Sequence, residues 1–269
     1  MFADLNETFG AAMCYVILSR IMCLEQLLLT EFNPAKIYCN ADAKTEALRI
    51  KERAINKKRI AWDENESRDV KISTLNIRSL QKHFKDLKDD YFLQQSDIIC
   101  VNETWLVADP EFSLEGFHSL YLNMKSKGVA LYSRVSPENV EQLHNAAMSM
   151  IIARYTLFDV LSVYRFSDSS NIQEATSQIK RFIDFTRTVI VLGDFNIDLL
   201  KQPDNLLSQS LKSLGFKQLV LQATHISGSL IDHVYAFLPN GEHCEEIKIH
   251  PLYYSDHDAV CFILKFPKH

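Results

Sequence analysis

Acidic and amide side chains recur in this chain directly after short apolar runs. The run Ile72–Ile77 carries Asn76, Ile98–Val101 leads to Glu103, Val189–Leu192 leads to Gly193, Asp194, Phe195 and Asn196, and Leu230–Ile231 leads to Asp232. Ser255, Asp256 and His257 precede the last apolar run. Strand ends are rigid platforms from which loops present a site. Carboxylates and amides with one histidine suit a hard, oxygen-seeking cation such as Mg²⁺ and a phosphate better than zinc or a serine nucleophile. A single aspartate after a strand is as a rule a turn or cap residue. The recurrence carries the signal.

Such platforms must be strands with a buried face. From Val70 onward the spacing predicts strands at Val70–Thr74, Asp97–Val101, Gly128–Ser133, Ser149–Arg154, Leu157–Tyr164, Thr188–Leu192, Leu230–Phe237 and Ala259–Lys265. Helical periodicity marks Leu80–Gln95, Ile172–Phe185 and Asn205–Leu214. Many strands with few helices predict an α+β layered sandwich. The polar run Asp63–Asp69 lacks apolar periodicity and reads as a linker, so the expected organisation is 1–62, a linker at 63–69, and a main domain at 70–269.

Composition sets the outer limits. A 269-residue chain that is 47% hydrophobic with a formal charge of -5 buries a large core and is not a disordered tail. Seven Gly and seven Pro exclude collagenous and linker-rich classes. The six cysteines form no C-x-x-C pair and read as scattered buried thiols. Arg20 and Glu25 interrupt the longest apolar stretch, Ala11–Leu29, so it is a poor membrane span. The expectation is an intracellular protein with no membrane partner.

Taken in order, several phrases resemble one superfamily. They are Leu75–Leu80, Asn102–Trp105, Gly128–Ser133, Val163–Arg165, Gly193–Asn196, Leu230–Val234 and Ser255–Asp258. Together they resemble the motif series of the endonuclease/exonuclease/phosphatase superfamily, from about Val70 to Phe266. Within it, Thr224–Val234 is similar to the endonuclease domains of transposable elements such as non-LTR retroelements. The resemblance implies a four-layered α/β/β/α sandwich with the site at one rim.

The resemblance also implies roles. Glu103 would be the main Mg²⁺ ligand, with Asn76 and Asp256 nearby and Mn²⁺ able to substitute. Such an ion places positive charge where phosphate oxygens gather negative charge. Asp194 would orient or deprotonate the attacking water, and Asn196 would donate to the scissile phosphate. His257 would contact the phosphate or act as base, held in its tautomer by Asp232. Tyr164 would contact the phosphate or the leaving group. Two departures stand out. Phe166, Ser167 and Asp168 follow Tyr164–Arg165 where the family often has prolines, and Lys127 stands where a second glycine is common.

The first 62 residues read differently. Tyr15–Arg20, Leu24–Leu27 and Phe32–Ile37 resemble the last motif and tail of Helitron-type DNA helicases, with Arg20 matching the arginine that reaches the nucleotide γ-phosphate. No G-x-x-x-x-G-K-[ST] loop occurs in the chain, so an ATPase is not complete here. The expectation is a remnant of an upstream helicase in a longer polypeptide, forming a small, partly helical segment. Lys44–Arg59 collects seven Lys and Arg against Glu46 and Glu52 on an amphipathic helical pattern. Its plainer reading is a solvated face, and the sharper one is a phosphate-contacting face.

The expected function is that of a Mg²⁺-dependent, monomeric endonuclease of a transposable element, acting on DNA in the nucleus by in-line attack of water. The alternatives are a phosphatase or phospholipid phosphodiesterase on the same fold, and an inactive transposon remnant. The net acidity of residues 70–269 implies weak, salt-sensitive DNA affinity.

Overall fold

The computed structural model describes residues 69–107, 112–167 and 171–267, together with two short strands, β1 (Phe2–Ala3) and β2 (Leu28–Leu29). The chain divides into two units, Met1–Ile60 and Ala61–His269. In the first, β1 and β2 pair in parallel. The helicase-like stretch with Arg20 and the basic run Lys44–Arg59 lie outside the described residues.

The second unit is a four-layered sandwich of two six-stranded mixed sheets faced by helices. One sheet has the order β13-β14-β3-β4-β6-β5, from β3 (Val70–Asn76), β4 (Ile98–Asn102), β5 (His118–Leu122), β6 (Val129–Ser133), β13 (His243–His250) and β14 (Ala259–Lys265). The other has the order β11-β12-β10-β9-β8-β7. Its strands are β7 (Asn139–His144), β8 (Met148–Arg154), β9 (Phe158–Arg165), β10 (Thr188–Asp194), β11 (Lys217–Gln218) and β12 (Asp232–Phe237).

Alternation of side chains builds the layers. On β10, Ile190 and Leu192 face the opposite sheet, where they pack in one cluster with Ile98, Cys100, Leu131 and Phe262. Val189 and Val191 face outward and are covered by α2 (Ile172–Arg181) and α3 (Leu206–Ser213) through Ala175, Ile179, Leu207 and Leu211. Across the sandwich, Ile99 and Val101 of β4 face α1 (Leu80–Asp89) through Leu80 and Leu87. Strands buried on both faces read as unbroken apolar runs, which is why these central strands were legible.

Each sheet contains one parallel pair, β3 with β4 and β9 with β10, with α1 and α2 lying between the paired strands in sequence. The parallel pairing sends Asn76 and Asn102 to one rim of their sheet, and Tyr164 and Asp194 to one rim of theirs. Asn76 and Asp194 are hydrogen-bonded across the sandwich, so the two rims coincide.

The structure corrects several expectations. Asp232 does not end a strand. It is the first residue of β12, whose antiparallel register sets it opposite Asp194. Leu230 and Ile231 lie before the strand because their backbone bonds go to the 194–199 loop, with Phe195 N donating to Ile231 O and Leu199 N to Leu230 O. The helix expected at Leu80–Gln95 ends at Asp89 and is followed by a 3₁₀ turn, Leu93–Gln95. There the Asp90 carboxylate accepts from the backbone of Phe92 and Leu93. Strands β5, β7, β11 and β13 were not foreseen. All are half-buried or exposed, and although Leu120, Leu122, Val140 and Ile249 pack partly against the core, none of these strands carries the run of fully buried residues that marks the central ones. Among the described residues no helix is long and apolar enough to cross a membrane.

Behind the rim, a buried histidine supports the Asp194–Asn196 turn. His233 stacks on Phe195 with ring centroids 4.8 Å apart, its Nε2 donates to Ile197 O at 2.8 Å, and its Nδ1 accepts from the Tyr235 hydroxyl at 3.2 Å. Burial pushes its pKa down to about 4. The unfolded chain therefore takes up this proton first as pH falls below 6.5, and stability drops between pH 6.5 and 4 by up to about 3 kcal/mol. Urea unfolding at pH 7 and pH 4.5 checks this. His233→Gln, which keeps a donor for Ile197, is expected to flatten the fall, and an equal fall in both proteins would refute the assignment.

Candidate active site

The two strand-end loops of the first sheet are zipped together beyond their ladder. Ile77 N donates to Asn102 O, Ser79 N to Glu103 O and Leu80 N to Thr104 O, at 2.9 to 3.1 Å. These bonds hold Arg78, Ser79, Glu103 and Trp105 at positive φ, a region that non-glycine residues rarely adopt. Asn196, in the other sheet's turn, sits at φ 49°. Among the described residues, five of the seven non-glycine residues at positive φ thus surround one rim, the pattern expected where a fold over-determines a site.

The Asn76 amide joins two carboxylates. Its Nδ2 donates to Glu103 Oε1 at 2.9 Å and to Asp194 Oδ2 at 2.8 Å, while its Oδ1 accepts from Arg78 N. Glu103 also accepts from the Tyr164 hydroxyl at 2.9 Å and from Trp105 Nε1 at 3.1 Å. Burial, with Glu103 close by, raises the Tyr164 pKa, so the phenol keeps its proton. Asp194 is 1% exposed, and Asn196 N donates to its second oxygen at 2.8 Å. Burial first, and then the charge of Asp232, push Asp194 up to about 7.

Asp232 and His257 form the second half. Asp232 Oδ2 lies 2.9 Å from His257 Nδ1 and accepts from Thr224 Oγ1 at 2.6 Å. Burial opposes charge on His257, but Asp232, followed by Asp194 and Asp256, outweighs it and raises the pKa to about 9. With Nδ1–H committed to Asp232, Nε2 is left for another partner. Arg78 donates to Asp256 Oδ2, and His225 Nε2 stands 3.4 Å from the same oxygen.

The structure therefore brings Asn76, Glu103, Tyr164 and Asp194 into one hydrogen-bonded set, with Asn196 on Asp194. Asp232 and His257 form a buried pair beside it. Asp256 connects to Asn76 through Arg78. Asn196 Nδ2 donates to Arg165 O at 2.7 Å, an internal bond. Sequence reasoning gave no role to Arg78, Asn102, Thr224 or His225. Asn102 stitches the sheets, its Nδ2 donating to Val163 O and its Oδ1 accepting from Asp194 N, each at 3.0 Å. Its position at a strand end beside Asn76 was the available signal. Thr224 and His225 act through a loop joined by backbone bonds to Asp256 and Asp258, which local periodicity does not reveal.

Two observations fit a cation. Asp232 Oδ1 and Asp256 Oδ1 are buried with no hydrogen-bond partner among the described residues, and a carboxylate oxygen of this kind is what a hard cation satisfies. Asp194, Asp232 and His257, and likewise His225, Asp256 and His257, offer ligand atoms within 4.8 Å of one another. Beside them opens a polar cleft of ≈ 600 Å³, lined by Arg165, Ser167, Asn196, Lys201, Ser227 and Ser229 among others.

Residues 73–257 match the family described as the Endonuclease/Exonuclease/phosphatase family. No curated protein matches the chain by sequence. Among solved structures, the chain is similar to the 3′ phosphatase NExo from Neisseria bound to a product DNA hairpin. That similarity has 20% identity and a TM-score of 0.60, and covers 72% of this chain and 98% of that one. It is also similar to an AP endonuclease from Archaeoglobus fulgidus (18%, 0.56, covering 72% and 98%). A third is the endonuclease domain of TRAS1, a telomere-specific non-LTR retrotransposon (15%, 0.56, covering 73% and 98%).

Proposed function

The chain belongs to the endonuclease/exonuclease/phosphatase family, and from that premise we propose that it is a divalent-cation-dependent endonuclease that hydrolyses DNA phosphodiester bonds for a transposable element. One observation carries the reading. Asp194, Asn76 and Tyr164 are buried and form one hydrogen-bonded set with the half-buried Glu103, the Asp232–His257 pair lies beside it, and the polar cleft lined by Asn196 and Ile231 opens next to both.

Glu103 and Asp256 are the residues we assign to Mg²⁺, with Mn²⁺ able to substitute, and Asn76 orients Glu103 and Asp194. The ion would supply positive charge to the phosphate oxygens as negative charge gathers there. Asp194 takes a proton from the attacking water at a carboxylate oxygen. Its raised pKa suits a general base near neutral pH. His257, with its pKa raised to about 9, is charged at pH 7, so it serves as a cationic donor to the phosphate through Nε2 rather than as the base. Asn196 is the second donor, held at the cleft by its backbone bond to Asp194. Tyr164 keeps its proton and fixes Glu103. Attack is in line, with no covalent intermediate.

The likeness to a retrotransposon endonuclease domain supports the mobile-element role, and the helicase-like N-terminal phrases support work alongside a Helitron-type helicase on nuclear DNA. Purified protein is expected to nick supercoiled plasmid with Mg²⁺ and not with chelator, and Asp194→Ala and Glu103→Gln are expected to abolish nicking. Plasmid left intact in Mg²⁺ and in Mn²⁺ would overturn the endonuclease reading. Phosphate release from small phosphoesters without DNA cleavage would replace it with a phosphatase.

A further inference from the structure

We propose that Arg78 is a displaceable counter-ion of the active site: it holds Asp256 in the place of a divalent cation, and passes to a substrate phosphate once the cation takes that carboxylate. This rests on the proposed function and concerns the regulation of the same site.

Arg78 starts from the centre of the site. Its backbone N–H is fixed on Asn76 Oδ1 at 3.1 Å, its φ is 47°, and the flanking residues are tied to the Glu103 loop. The root of the side chain is therefore rigid. The guanidinium end is less confined, since its side chain remains 50% exposed while it donates to Asp256 Oδ2. After Asp256, Glu103 also favours the charged guanidinium, so the arginine stands near both carboxylates assigned to the cation.

The other oxygen, Asp256 Oδ1, is buried and has no hydrogen-bond partner among the described residues. Asp256 thus has one oxygen engaged by Arg78 and His225 and one open. A dication on the open oxygen and a guanidinium on its neighbour repel each other across a single carboxylate. The more exposed and more flexibly mounted charge is the one that yields. An exposed ion pair is weakly held and loses little on breaking. Once released, a planar guanidinium with five donors matches a phosphate well, and its rigid root keeps it at the rim where the substrate lies. Arg78 would then keep the carboxylates from repelling one another before cation and substrate arrive, and add to substrate affinity afterwards.

Titration of the full chain with Mn²⁺ tests this. Arg78→Gln is expected to bind Mn²⁺ about tenfold more tightly than the parent, because one unit of opposing charge is gone. Arg78→Lys, which keeps the charge, is expected to stay close to the parent. In a short DNA duplex assay without turnover, the salt slope of binding is expected to fall by about one in Arg78→Gln. Equal or weaker Mn²⁺ binding by Arg78→Gln would make Arg78 a simple clamp on Asp256 and overturn the proposal, as would an unchanged salt slope. Absence of Mn²⁺ binding in parent and variants alike would overturn the cation reading of the site, and the role of Arg78 with it.

Discussion

Asp194→Asn is expected to lower DNA hydrolysis by about 10²- to 10⁴-fold, the range for loss of a positioned general base, while leaving the protein folded. The variant retains the volume of the side chain and an oxygen to accept from Asn196 N, but has no basic oxygen for the water proton. The stability side has its own sign. The folded pKa of Asp194 is raised above the ordinary carboxylate value because burial and Asp232 disfavour its charge. The stability associated with its proton is therefore present in acid and lost as pH rises through about 7. Above that pH the parent carries a buried charge next to Asp232, and Asp194→Asn does not. Its only new contact cost is an amide facing the donating Asn76 Nδ2. Relative to the parent, the variant should be more stable at pH 8 than at pH 5.

The same groups shape the rate profile of the parent. In the proposed mechanism Asp194 acts ionised and His257 protonated, so activity is expected to rise with pH through about 7 and fall through about 9. A cation at Glu103 and Asp256 favours the Asp194 carboxylate and moves the acidic limb downward. Thermal melts at the two pH values and single-turnover rates from pH 5 to 10 measure both halves. Turnover retained by Asp194→Asn would remove Asp194 from the chemistry.

The largest expected loss of stability is at Gly193→Ala. Gly193 lies at φ +132°, and a Cβ there would stand 1.9 Å from Val163 O, 2.9 Å from Val163 C and 3.0 Å from Asn102 Oδ1. Gly193 and Val163 are direct partners in the parallel β9–β10 ladder, so the neighbour that must move is backbone, not a flexible side-chain end. Val163 O also accepts from Asn102 Nδ2. Moving it would break the stitch between the sheets and release the Asp194 turn together. Such a clash belongs with the most damaging substitutions, above about 4 kcal/mol, set against a total stability of about 5–15 kcal/mol. Gly193→Ala should therefore be largely unfolded, or shift its urea midpoint strongly downward. Gly228→Ala serves as the comparison, since a Cβ there meets nothing within 4 Å and only its φ of +78° opposes it. If both variants unfold at the same urea concentration, close packing at Gly193 is not what requires glycine.

Much of this was legible beforehand where the information is local. β10 and β4 are buried on both faces, so their residues had to be apolar without interruption, and Asp194 and Glu103 stood out where the runs stopped. The helix expected at Asn205–Leu214 was readable from its periodicity, because Leu207 and Leu211 fall one turn apart on its buried face. Polar edge strands such as β13 carried no such mark. Their exposed side chains obey no burial pattern, and their backbone bonds depend on a neighbour distant in sequence.

By itself the sequence determined which side chains were available at strand ends, and hence the class of chemistry, because burial dictates apolar runs and the end of burial permits acids and amides. Only the tertiary structure decided which of them meet. Asp232 faces Asp194 because β12 runs antiparallel to β10. Asn76 reaches Asp194 over 118 residues of chain because two parallel pairs end at one rim. Arg78 finds Asp256 across 178 residues. Periodicity records whether a residue is buried, whereas register and sheet packing arise from contacts between distant segments, and those contacts decide which charges share one site.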